Sequence, residues 1–70
     1  MPIIQVTLIE GRPAEAKERL IKALSEATVA AIGAPLNSVR VILQEVPAAH
    51  WGVGGASKAR SDLVEESAHG

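Results

Sequence analysis

The chain contains no cysteine, no phenylalanine and no tyrosine. Without cysteine there is no disulfide to staple a small fold and no thiolate zinc site. Without Phe or Tyr there is no stacking platform for single-stranded nucleic acid. Two histidines, His50 and His69, are too few and too scattered for a metal cage, so no metal is expected. An excess of either charge is missing too. Seven Lys plus Arg face eight Asp plus Glu, a net charge of −1, which excludes the basic footprint of a nucleic-acid or anionic-membrane binder. No apolar run approaches the roughly 18 residues of a membrane span. No basic stretch followed by an apolar one opens the chain as in a signal peptide. The expectation is a cytoplasmic protein.

What is present is apolar but small. Hydrophobic residues make up 47% of the 70, so the chain is no disordered polymer. Twelve residues are alanine, however, and Trp51 is the only aromatic. A lone domain of this size buries only about 60% of its unfolded surface. With disulfides and metals excluded, oligomerisation is the remaining route to a stable fold.

Residues 3–9, Ile-Ile-Gln-Val-Thr-Leu-Ile, read as a strand ended by Glu10-Gly11. Ile4, Val6 and Leu8 form one apolar face; Ile3 and Ile9 flank Gln5 and Thr7 on the other. Pro13 fits the first helical position, and Glu15 and Glu18 suit the positive end of a helix. Ile21, Leu24, Thr28 and Ala31 follow helical spacing, widened by Leu20, Ala27 and Ile32. Gly33 and Pro35 end the helix. Residues 39–46 read as a second strand, with Val39, Val41 and Leu43 on one face and Arg40, Ile42, Gln44 and Val46 on the other. A loop with a short hairpin follows, and about 61–70 reads as a fraying tail. Strand, long helix, strand is a βαβ unit of the α/β class, its strands parallel and its crossover right-handed. One helix covers one face of two strands, and both outer edges stay open. The pattern itself asks for partner subunits, with residues 1–70 as one domain.

Few residues suggest chemistry. Met1-Pro2 permits removal of the initiator methionine, which frees a secondary amine at Pro2. Nearby cations and burial push such an amine toward its neutral form, able to act as general base and then acid; the plain alternative is a proline that begins an edge strand. Arg12 and Arg40 suit carboxylates, since guanidinium forks bind them bidentately. The alternatives are a helix-entry surface residue at Arg12 and an Arg40–Glu45 pair. Trp51 is a pocket wall or an interface anchor. Residues 52–55, Gly-Val-Gly-Gly, hint weakly at a phosphate cradle but lack the P-loop context. His50 is a lone histidine, and Asn37 and Ser38 are turn residues.

Together these stretches resemble the 4-oxalocrotonate tautomerase family. They are Pro-Ile-Ile-Gln-Val from Pro2, Leu-Ile-Glu-Gly-Arg ending at Arg12, Ala-Pro-Leu-Asn-Ser-Val-Arg-Val over 34–41, and His-Trp-Gly-Val-Gly-Gly over 50–55. The resemblance covers roughly residues 2–60. It implies βαβ subunits paired into dimers with four-stranded sheets, three of which commonly form a homo-hexamer. It implies a cofactor-independent isomerase acting on small 2-hydroxydienoate or unsaturated 2-oxo acids, as in aromatic degradation. Pro2 matches the family's catalytic base. Arg12 matches the arginine on the distal carboxylate. Arg40 matches one, usually from a neighbouring subunit, on the 1-carboxylate and 2-oxygen. Trp51 stands where the family usually has Phe, and Ser38 and the Ile9 backbone match lesser substrate contacts. The loop 51–53 carries no acid, unlike the related haloacrylate dehalogenases. Hydration or dehalogenation of unsaturated acids, and a non-catalytic oligomeric binding protein, are the alternatives.

Overall fold

The computed structural model describes residues 1–60; the tail expected over 61–70 lies outside them. Strand β1 (Ile3–Ile9) leads to helix α1 (Ala14–Ile32), and β2 (Arg40–Val46) returns beside β1. Single 3₁₀ turns at Leu36–Ser38 and Ala48–His50 precede and follow β2. Two short strands, β3 (Gly52–Val53) and β4 (Ala56–Ser57), close an antiparallel hairpin. Its two-residue turn is Gly54-Gly55, both at positive φ, the geometry that matches strand twist in tight hairpins. The glycine-rich stretch therefore serves as a hairpin turn and not as a phosphate cradle.

β1 and β2 pair in parallel from Ile3↔Arg40 to Ile9↔Val46. Val41 and Leu43 thus share the face of Ile4, Val6 and Leu8, and α1 covers that face. Ile3, Gln5, Thr7 and Ile9 share the other face with Arg40, Ile42, Gln44 and Val46, and among the described residues no element covers it. Leu8 is the only apolar residue classed as buried among those described, at 9% exposure. One chain therefore has almost no interior.

The helix is rotated relative to the expected stripe. Lys17, Leu20, Leu24 and Thr28 face the sheet with Ala16, Ser25 and Val29, whereas Ile21, Ala27, Ala31 and Ile32 are exposed, Ile32 at 66%. The cause is partly electrostatic. The Lys17 ammonium lies 3.1 Å from Glu45, which sits opposite Leu8 on the helix side of β2. It is also geometric. Neighbouring strands lie about 5 Å apart, while a helix with side chains is about 10 Å across. The outer apolar residues overhang the narrow sheet.

Two boundaries differ by one residue from the sequence reading. Pro13 is the N-cap, extended at φ −69° and ψ 159°, so the helix begins at Ala14. Its carbonyl accepts from the N–H groups of Ala16 and Lys17, and the missing proline N–H is harmless there as it would be one position later. Val39 lies outside β2 because its N–H is spent on Leu36 O, 3.1 Å away, closing the 3₁₀ turn. Gly33 ends α1 as expected, in the left-handed region with its N–H on Val29 O.

Candidate active site

The parallel register sorts the expected site residues into two groups at opposite ends of the sheet. At the start of the strands lie Pro2, Ser38 and Arg40. The Arg40 N–H donates to the Pro2 carbonyl at 3.0 Å, which clamps the residue before β1 to the first residue of β2. Ser38 closes the turn just before Arg40, its hydroxyl donating to Pro35 O at 2.7 Å. At the strands' C-terminal ends lies Ile9, with Arg12 three residues beyond it and Trp51 five residues past Val46. The Arg12 guanidinium donates to the Ile9 carbonyl at 3.0 Å. Trp51 is half-buried; its N–H donates to Ala48 O, and its carbonyl accepts from the Lys58 N–H at 2.7 Å.

These groups do not meet within one chain. The rise of a strand is about 3.3 Å per residue, so Pro2 and the Ile9 carbonyl that holds Arg12 are about 23 Å apart. An arginine side chain cannot bridge that. Any site using both needs two copies of the chain.

Both arginines are exposed, and both rest on neutral acceptors. The Arg40 Nη1 donates to Asn37 O at 2.9 Å. Lys17 pairs with Glu45 and, on the helix surface, Lys22 pairs with Glu26 at 3.9 Å. The Arg40–Glu45 pairing considered above does not form. Residues an odd number apart project to opposite faces of a strand, and Glu45 already holds Lys17. Among the described residues neither guanidinium meets a carboxylate, so each is ready for one.

Two contributors have little or no sequence signal. Gly11 adopts φ +128° in the link between β1 and α1, a region that L side chains rarely enter. This lets the chain reverse so that Arg12 folds back onto Ile9. The only clue was a glycine between a strand end and an arginine. The Asn37 carbonyl, which holds Arg40, is a backbone atom and carries no residue-type signal at all. Gly11→Ala is expected to cost about 1–3 kcal/mol of strain, seen as a lowered urea midpoint with unchanged m-value. His50 is exposed on its 3₁₀ turn, its N–H on Pro47 O.

The fold and these groups define a class: a βαβ subunit that carries an exposed arginine at each end of its two-stranded parallel sheet. Comparison with known proteins makes the class specific. The tautomerase enzyme family model matches residues 2–60. The chain is 68% identical over 59 residues to a probable tautomerase of Ralstonia nicotianae, covering 84% of each chain. It is 53% identical over 57 residues to a 2-hydroxymuconate tautomerase of Stutzerimonas stutzeri, covering 81% of this chain and 90% of that one. Among solved structures it is similar to a heterohexameric 4-oxalocrotonate tautomerase from Chloroflexus aurantiacus, with TM-score 0.82, 51% identity, and 84% and 95% of the two chains covered. The chain belongs to the tautomerase family and is an isomerase of the 4-oxalocrotonate tautomerase type.

Proposed function

We propose that the protein ketonises a 2-hydroxydienoate diacid such as 2-hydroxymuconate, using Pro2 as a terminal secondary amine. The observation that carries this reading is the separation of Pro2 from Arg12 by the full length of β1, with both kept accessible. Met1 is 78% exposed, and its removal leaves the bond between the Pro2 carbonyl and Arg40 N–H intact. The outer edge of β1 is open, since its one partner is β2. Antiparallel pairing with a second β1, centred on Val6, sets Ile3 against Ile9 and Pro2 against Glu10. That brings Arg12 of the partner subunit to Pro2. The resulting four-stranded sheet keeps one face bare. Arg40 stands on that face, from which it can serve a neighbouring subunit, and three such dimers make a homo-hexamer.

In this site Arg12 of one copy holds the distal carboxylate of the acid. Arg40 binds the 1-carboxylate and the 2-oxygen, and as a preorganised cation it stabilises the dienolate. Both cations oppose protonation of the Pro2 nitrogen, and the Trp51 ring adds an apolar wall; each favours the neutral amine. The nitrogen then removes a proton from the 2-hydroxydienoate and returns it to a carbon further along the conjugated system. No net proton is gained or lost.

The test joins two measurements on one sample. Intact mass of the natively produced protein should lack Met1, and that sample should consume 2-hydroxymuconate, followed by loss of its ultraviolet absorbance. A mature chain that keeps Met1 has an amide at Pro2, so activity in such a chain would rule out the amine mechanism. A processed chain with no turnover of the diacid would instead rule out this substrate.

A further inference from the structure

We propose that Ser38 is a positioning residue for Arg40, acting through the turn that carries the arginine. The proposal rests on the reading of Arg40 given above and deepens it. Four short hydrogen bonds run from Pro35, just past α1, to Pro2, just before β1. The Pro35 carbonyl accepts twice from Ser38, from its N–H at 2.9 Å and from its hydroxyl at 2.7 Å. That double bond to one acceptor fixes the 3₁₀ turn Leu36–Ser38 and with it the direction of the Asn37 carbonyl. The Asn37 carbonyl holds the Arg40 guanidinium at 2.9 Å. The Arg40 N–H in turn holds the Pro2 carbonyl at 3.0 Å.

The hydroxyl of Ser38 is thus engaged with the backbone of its own turn. Arg40 is a long side chain on an exposed face, where rotamer freedom is large. Its planar fork is useful against a carboxylate only when held in plane. Among the described residues the Asn37 carbonyl is its one side-chain anchor. A turn that rocks would swing that anchor and with it the fork. The design also predicts that losing the hydroxyl leaves the fold intact, because Pro35 O keeps its backbone donor.

The experiment is a double-mutant cycle on the full-length protein, reading kcat and KM for 2-hydroxymuconate together with the melting temperature. Ser38→Ala should lower kcat/KM about tenfold, mostly through KM, with little change in melting. Ser38→Thr keeps the hydroxyl and should stay within about twofold of the parent. In an Arg40→Ala background, Ser38→Ala should cause no further loss, because residues acting through one another are not additive. An additive loss in that background would mean that Ser38 acts independently of Arg40, and the proposal fails. Parental kcat/KM in Ser38→Ala also overturns it. Parental activity in Arg40→Ala alone strikes at a different point: it removes Arg40 from the site, and this proposal with it.

Discussion

Replacing Pro2 with alanine is expected to reduce kcat for 2-hydroxymuconate by about 10²-fold, the lower end of what a positioned general base contributes. The figure is at the lower end for a chemical reason. Alanine at position 2 still permits loss of Met1 and still leaves an amine, but a primary one on a freely turning bond. The pyrrolidine ring ties the nitrogen to its own side chain and so restricts the direction of the lone pair. The fold should not notice the change. What Pro2 gives the sheet is its carbonyl, bonded to the Arg40 N–H, and alanine supplies the same carbonyl. Unchanged melting with a collapsed kcat is therefore the expected pair of results. An unchanged kcat would show that the amine is not the base.

The second large effect comes from mixing two crippled variants. Arg12→Ala should lower kcat/KM by about 10²-fold if, as proposed, it deletes a charge-assisted contact to the distal carboxylate. Each variant alone has every site damaged. If Pro2 of one copy works with Arg12 of another across a two-fold axis, a mixed dimer contains one site with both residues intact and one with neither. Random reassembly of equal amounts then restores about a quarter of the parental activity, since half the dimers are mixed and each has one good site. The measurement is specific activity after co-refolding Pro2→Ala and Arg12→Ala chains from denaturant. Activity no higher than the mean of the two separate variants would contradict a site shared across β1.

Much of the architecture was legible because it is written in local patterns. β1 was read as 3–9 and runs Ile3–Ile9; Gly33 was read as the helix stop and is one. Alternation and breaker residues carry that information without reference to the rest of the chain. The rotation of α1 was less legible. Ile21 and Ile32 fit a helical stripe as well as Leu20 and Leu24 do, and what separates them is non-local: the Lys17–Glu45 pair, 28 positions apart, and the narrowness of the sheet. The nomination of Pro2, Arg12, Arg40, Ser38, Trp51 and Ile9 came from their motifs. Their division between two ends of the sheet follows from the parallel register, which the βαβ pattern had already implied. The anchors of the two arginines were illegible, being main-chain carbonyls at Ile9 and Asn37.

The near absence of an interior, with Leu8 the one buried apolar residue described, changes what stability means for this chain. In an assembly like that of the Chloroflexus relative, the native state is held by mass action between copies, and its free energy contains a concentration term. A melting temperature then belongs to a chain at a stated concentration rather than to the amino-acid sequence. Folding and catalysis would also fade together on dilution, because the contacts that give the chain an interior are the same ones that complete its sites.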